Sequence, residues 1–221
     1  MALLDFAPVF FLSLGLFFLA QLVDRLDPRC RRMALTGLVF VTVGGLARAV
    51  SNFTQTLSGQ DIPLLTTTLY VFGGPGFTLM AAALIRARAT VLSGQPRRDP
   101  WLAPTVVSWL FLLAASYVNT SFEGDAWSDV LLALLVAGSA ATCFGAARLG
   151  WRRQLHMAAA LLALNVAGTS AVVVLRSLSS QPILLQLLEV LIHIAAQAAF
   201  AFAAWRVAAE YRARVGPTAA A

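Results

Sequence analysis

The stretch FAPVFFLSLGLFFLAQLVDRLDPRCRR, residues 6–32, decides the fold class, because an apolar run is followed directly by a cluster of arginines. A helix needs about 20 apolar residues to cross roughly 30 Å of hydrocarbon, and Phe6–Val23 approaches that length. The run lacks the basic leading segment of a secretory signal peptide. We therefore interpret it as a retained transmembrane helix with its N-terminus outside.

The composition of the whole chain agrees with a lipid environment. Hydrophobic residues make up 59% of the 221 residues and charged residues 12%, whereas soluble domains are about 25% charged. Every basic residue is an arginine, and these arginines lie mostly between the apolar runs. The net charge of +6 therefore indicates cytoplasmic loops and no nucleic-acid partner. Abundant Arg, Ala and Leu indicate a GC-rich genome, so we expect a bacterial inner-membrane protein.

Seven apolar runs are long enough to be helical spans. They are continuous and do not alternate with polar residues, so a bundle of α-helices is favoured over a β-barrel. The predicted fold is an all-α seven-helix bundle that forms a single transmembrane domain, residues 1–221. The spans are Phe6–Val23, Met33–Val50, Pro63–Ile85, Trp101–Val118, Val130–Leu149, Gln154–Leu175 and Ile183–Val207.

The connections between these spans alternate in charge. The first, third and fifth connections and the tail are rich in arginine, and the second and fourth carry only acidic charge. Arginine-rich connections stay in the cytoplasm, so the pattern predicts an N-out, C-in topology. Arg176, in the sixth connection, is the one basic residue on the side predicted to be outside.

The two halves of the chain share a weak internal repeat. Arg25-Leu26 follows the first span as Arg148-Leu149 ends the fifth, and Gly44 and Gly168 hold matching positions in the second and sixth spans. The pattern predicts parallel repeats, residues 1–90 and 127–210, joined by a linker helix at 101–118. Chance alignment of apolar sequence is the alternative that remains open.

This three-plus-one-plus-three plan resembles the SWEET and PQ-loop transporters, the KDEL-receptor type and the opsins. The resemblance is architectural and covers most of the chain. The PQ-loop type carries a Pro-Gln pair in its repeat helices, whereas here Gln181-Pro182 is reversed and lies in a connection. Covalent retinal binding needs a lysine in the seventh helix, and this chain contains no lysine.

The seventh span carries polar residues at helical spacing. Gln186, Glu189, His193 and Gln197 recur every three or four residues and share one face. A carboxylate at that depth needs a cation, a proton or water. Arg48 of the second span is the expected partner, and Arg176 is the alternative. The face predicts a polar binding site, or a proton-coupled one in which Glu189 or His193 titrates. A structural ion pair is the alternative.

The third span contains the segment Gly73, Gly74, Pro75 and Gly76. Proline cannot donate to the carbonyl four residues before it, and the glycines loosen the helix further. We expect a kink or break that acts as a hinge near the middle of the membrane. Close helix packing on small residues is the alternative.

Several polar residues of different spans fall at similar depth. We expect them to line one cavity, although lone polar residues in membrane helices also serve as contacts between helices. The candidate ligand-binding residues are Glu189, His193, Arg48, Tyr70, Asn165, Ser116 and Gln186.

No motif indicates an enzyme, a cofactor or a metal. His156 and His193 differ in depth by about 10–15 Å on the helical rise, too far apart to bind one haem together. A zinc hydrolase usually needs three protein ligands, and only Glu189 and His193 share a face. We therefore expect no catalytic residue, cofactor or metal site.

These features together favour a small transporter or permease-like protein with a polar site between the middle and the outer half of the membrane. A receptor that binds a small or lipophilic ligand, and an accessory subunit of a membrane complex, are the alternatives. The expected partners are the lipid bilayer and a small-molecule or lipid ligand.

Overall fold

The computed structural model describes residues 2–59, 62–93, 101–121, 126–177 and 183–214, and the side chains of residues 2, 171–177, 183–186 and 214 lie outside the described set. Within these residues the chain forms seven α-helices and contains no strand, as predicted. Two short 3-10 helices, Ala2–Asp5 and Pro28–Cys30, precede the first two. The helices are α1 Phe6–Leu26, α2 Arg31–Ser58, α3 Pro63–Ser93, α4 Leu102–Ser121, α5 Ala126–Arg152, α6 His156–Ser177 and α7 Ile183–Arg214.

Six helices of the described part are long and apolar enough to cross a membrane. They are α1, α2, α3, α4, α5 and α7, and the side chains of α6 are described only as far as residue 170. These helices are those of a multi-pass membrane protein. Several continue past the predicted spans: α3 reaches Ser93 and α7 reaches Arg214. Apolar runs mark the part of a helix inside lipid, whereas helical backbone continues into water where the residues permit it.

Each helix of the bundle runs antiparallel to the next one along the chain. Ser13 of α1 forms a 2.9 Å hydrogen bond with Thr42 of α2, and Asn52 of α2 donates to Asp5, just before α1, at 3.1 Å. Packing follows the order α1, α2, α3, α5, α6, α7 and back to α1. In addition α1 contacts α3, and α5 contacts α7. Helix α4 lies outside this ring, against α3 and α5.

One end of the bundle collects most of the arginines. Helices α1, α3, α5 and α7 finish there, and α2, α4 and α6 begin there. We call it the arginine-rich end, and the other the arginine-poor end. The described arginines of the arginine-rich end include Arg25, Arg29, Arg31, Arg32, Arg86, Arg88, Arg148, Arg152, Arg153, Arg206 and Arg212.

The apolar core lies mainly between the middle of the bundle and the arginine-rich end. Its large, fully buried side chains include Leu19, Leu22, Met33, Met80, Leu84, Leu149, Leu162, Phe200 and Val207. Toward the arginine-poor end, the buried apolar side chains among the described residues are fewer, for example Ala49, Leu131 and Leu134. Residues 65–72 of α3 are all half-buried. Among the described residues, the large buried side chains are therefore concentrated toward the arginine-rich end.

Helices α2 and α3 approach each other through glycines. A Cβ built on Gly37 would lie 2.6 Å from the carbonyl oxygen of Gly76, and one built on Gly76 would lie 2.9 Å from the carbonyl oxygen of Gly37. Small residues allow such close approach, which is how membrane helices commonly gain packing energy. The α2–α3 contact therefore depends on both glycines.

The predicted break in α3 is absent, because the helix is continuous through Pro75. The glycines beside Pro75 are all buried. A Cβ on Gly73 would lie 2.5 Å from Leu135 of α5, and one on Gly74 would lie 3.1 Å from Leu134. Packing against α2 and α5 therefore supports the helix where the proline removes a hydrogen bond. A kink or a hinge in this segment stays a prediction.

Candidate functional site

The polar residues of α7 stand on the face that packs into the bundle. Glu189 and His193 share a helical face with Phe200, which is 1% exposed. The Glu189 side chain is 8% exposed, and His193 is half-buried. Both side chains make contacts within the protein. The predicted polar face is therefore directed into the bundle at these positions, whereas the Gln186 side chain lies outside the described residues.

The Gln197 side chain of α7 carries a buried hydrogen-bond acceptor that lacks a donor among the described residues. It is 5% exposed, and its Oε1 atom is buried without a hydrogen-bond partner among the described residues. A buried carbonyl oxygen without a hydrogen-bond donor costs about 1–3 kcal/mol. Because of this cost, we expect the Gln197 acceptor to be retained for a function. The sequence put Gln197 on the polar face but did not single it out as a site residue.

Arg48 and Tyr70 lie at one level on two neighbouring helices. Ser51 of α2 and Thr66 of α3 form a 3.0 Å hydrogen bond, which fixes the register of the two helices. Arg48 and Tyr70 each lie about one turn further into the bundle from that pair. Both residues are half-buried.

Helix α1 relates the depth of Arg48 to that of His193. Gly45 of α2 packs against Val9, and Gly15 packs against Phe200 of α7. On the helical rise, Arg48 and His193 therefore lie within about one turn of the same depth, and Glu189 lies one turn nearer the arginine-poor end. Because α1 packs between α2 and α7, the pairing of Arg48 with Glu189 stays a prediction.

Asn165 links three helices. Its Nδ2 atom donates to the carbonyl oxygen of Ala196 in α7 at 2.8 Å, and the Cys143 thiol of α5 lies 3.6 Å from its Oδ1 atom. The side chain is 6% exposed. These bonds use much of the amide in contacts between helices, which is the common role of asparagine in membrane bundles.

Ser116 is not brought together with the other candidate residues. Helix α4 is buried along Pro104, Ser108 and Ala115. Ser116 is exposed beside that face, and neighbouring Tyr117 is 68% exposed. Adjacent residues of a helix point about 100° apart, so Ser116 faces away from the bundle.

A second buried carboxylate lies at the arginine-rich end. Asp27 is 7% exposed and accepts hydrogen bonds from the Arg29 backbone N–H at 3.1 Å and from the Thr90 hydroxyl at 2.9 Å. The Cys30 thiol lies 3.7 Å from the same carboxylate. Asp27 therefore stabilises the contact between the first connection and α3. Asp27 was not among the predicted site residues, although an aspartate before Pro28 is a familiar turn signal.

The described residues contain no group of three or more His, Cys, Asp and Glu side chains that could hold a metal ion. The chain matches no protein-family model, no curated protein and no solved structure. The polar interior face of α7, with Arg48 and Tyr70 at a similar depth, is the candidate functional site.

Proposed function

We propose that the protein is a small permease-like transporter whose substrate binds along the interior face of α7. The observation that carries this proposal is the buried pair Glu189 and Gln197, of which Gln197 has an unpartnered acceptor. Ionisable groups inside a membrane protein are costly, and they commonly mark substrate or proton pathways.

The proposed topology follows from the arginine distribution. The arginine-rich end faces the cytoplasm of a bacterial cell, which puts the N-terminus outside and the C-terminus inside. The polar site then lies between the middle and the outer half of the membrane. Because the large buried side chains of the described residues are concentrated toward the arginine-rich end, this arrangement corresponds to a site that opens outward.

We also propose that the bundle consists of two parallel repeats, α1–α3 and α5–α7, with α4 as the linker. Two glycine contacts at matching positions support it. A Cβ on Gly15 would lie 2.5 Å from the Phe200 ring, and a Cβ on Gly138 would lie 3.0 Å from the Cβ of Phe77. Gly138 follows Gly15 by 123 positions, and Phe200 follows Phe77 by the same 123 positions.

A second pair of contacts nearly follows this correspondence, since Ala196 follows Gly73 by 123 positions and Gly168 follows Gly44 by 124. A Cβ on Gly44 would lie 3.4 Å from the backbone nitrogen of Gly73, and a Cβ on Gly168 would lie 3.1 Å from the Cβ of Ala196. The order of packing also agrees, since exchanging the two triplets turns the α3–α5 contact into the α7–α1 contact. Parallel repeats of this kind are related by an axis along the membrane normal.

The repeat relates the polar residues of α3 to those of α7. Tyr70 corresponds to His193 and Thr66 corresponds to Glu189, so both helices carry polar side chains at the same two levels. Transporters built from repeats bind their substrates near the repeat interface at mid-membrane. Arg48 contributes a cation at this depth and Glu189 a carboxylate. Such a site fits a polar solute, with Glu189 or His193 as the group that exchanges a proton.

Transport is tested by current measurements on proteoliposomes. Pools of sugars, amino acids, organic acids and amines are applied under a proton gradient, and Glu189→Gln is compared with wild type. Ser116→Ala is the matched control, because Ser116 is exposed on α4. We expect a pool that elicits current in wild type and in Ser116→Ala but not in Glu189→Gln. Equal currents in all three proteins, or none in folded wild-type protein, would contradict the proposal.

A further inference from the structure

An apolar groove of about 480 Å³ runs along the outside of the bundle between α5 and α6. It is open to the surroundings and lies on the surface that a membrane-spanning bundle presents to lipid. Small side chains create it. Residues that line it include Ala140, Ala141, Phe144, Ala147, Leu162 and Ala163.

An exposed cation stands at the end of this groove. The guanidinium carbon of Arg148 lies 4.2 Å from the centre of the Phe144 ring, and Phe144 forms part of the groove wall. No ion pair joins Arg148 to a carboxylate among the described residues. Trp151 is 63% exposed one turn further on, as is common at a membrane–water interface.

The corresponding segment of α1 carries an exposed arginine, Arg25, but not the small side chains that create the groove. Phe17 and Phe18 stand 123 positions before Ala140 and Ala141, so large rings occupy the places where the groove has methyl groups. Asp24 stands at the position of Ala147 and forms a 3.8 Å ion pair with Arg31. The second half of the chain therefore combines an exposed arginine with a groove, whereas the first half combines an exposed arginine with bulky side chains and an acidic residue.

We propose that this groove binds an anionic glycerophospholipid, with one acyl chain along α5 and α6 and the phosphate at Arg148. Ala140 lies about 12 Å from Arg148 along the helix, so the groove extends from the headgroup level into the hydrocarbon. A guanidinium donates charge-assisted hydrogen bonds to a phosphate, and basic positions between membrane helices on the cytoplasmic side recognise anionic lipids. This site is separate from the polar interior of the bundle and independent of the transport proposal.

The test is native mass spectrometry of the full chain in mild detergent, titrated with phosphatidylglycerol or phosphatidylcholine. We expect Arg148→Gln to weaken phosphatidylglycerol binding about fivefold, the effect of one arginine near a membrane surface. Arg25→Gln is the matched control, since Arg25 is also exposed and holds the equivalent position on α1. Arg148→Lys keeps the charge and is expected to retain most of the binding.

The acyl chain is tested separately by filling the groove. The double variant Ala140→Phe and Ala141→Phe copies the side chains of the first half, and we expect it to lose the bound lipid while Arg148 remains. The proposal would be overturned if Arg148→Gln and Arg25→Gln weakened phosphatidylglycerol binding equally. It would also be overturned if wild type retained phosphatidylcholine as strongly as phosphatidylglycerol. Binding of inorganic phosphate as strongly as the lipid would also overturn it, because the groove would then contribute nothing.

Discussion

Gly15 of α1 packs against the ring of Phe200 in α7 so closely that a Cβ at position 15 would lie 2.5 Å from two ring atoms and 3.1 Å from the Cα of Ala201. Phe200 is 1% exposed, and its ring is held by the surrounding core. We expect Gly15→Ala to destabilise the bundle by about 1–3 kcal/mol, the usual effect of overpacking. Unfolding in mixed detergent–SDS micelles measures it.

Gly145→Ala is the matched control for that substitution. Its Cβ would lie 3.5 Å from the Cβ of Leu84, which is ordinary van der Waals contact. Alanine is a better helix former than glycine by about 1 kcal/mol, so this variant should unfold no more easily than wild type. If both variants lost the same stability, the close α1–α7 contact would not be the cause.

Asn165 is expected to stabilise the contact of α6 with α7. Replacing it by leucine removes the 2.8 Å hydrogen bond to the carbonyl oxygen of Ala196. Hydrogen bonds between membrane helices are worth about 0.6–1.7 kcal/mol, so Asn165→Leu should lower the unfolding free energy by that amount. Cys143→Ala, which removes only the weaker thiol contact, should cost less. A larger loss for Cys143→Ala would contradict this ranking.

A substitution of Gln197 is expected to affect stability and transport differently. Replacing it by methionine removes the unpartnered Oε1 atom and keeps a similar side-chain length. Because a buried unsatisfied carbonyl is costly, Gln197→Met should raise thermal stability in detergent or leave it unchanged. The same variant should reduce transport current if Oε1 accepts a hydrogen bond from the substrate. A variant that is destabilised and fully active would show that Gln197 is structural.

The turn between α5 and α6 contains a residue in the left-handed region. Gln154 has φ 61°, and the backbone N–H of Leu155 donates to the carbonyl oxygen of Gly150 at 3.0 Å. A side chain in this conformation costs about 1–2 kcal/mol, and glycine is the usual residue at such a helix end. We expect Gln154→Gly to raise the unfolding free energy by about 1 kcal/mol. Gly59→Ala, at φ 69°, should lower it.

The seven helices could be predicted because hydrocarbon imposes a simple requirement. A span must be apolar and about 20 residues long, and both properties are visible in one sequence. The extension of α7 to Arg214 was not predicted, since outside lipid the apolar pattern no longer marks where a helix ends.

The site could be predicted only in part. Helical spacing put Glu189 and His193 on one face, and the structure turns that face inward. The exposure of Ser116 could not be predicted, because it depends on α4 lying outside the ring. That order of packing comes from close contacts such as Gly37 with Gly76, and a single sequence does not reveal which glycines meet.

Cysteine accessibility measures whether Tyr70 and His193 line a polar interior open to the outer side. In a background with Cys30→Ala and Cys143→Ala, the variants Tyr70→Cys, His193→Cys and Leu84→Cys are treated with a membrane-impermeant thiol reagent. Leu84 is fully buried near the arginine-rich end and serves as the control.

We expect Tyr70→Cys and His193→Cys to react in intact spheroplasts and Leu84→Cys to stay unmodified. Reaction of the first two only in inside-out vesicles would contradict the topology. If neither reacted from either side in folded protein, there would be no outward-open polar interior.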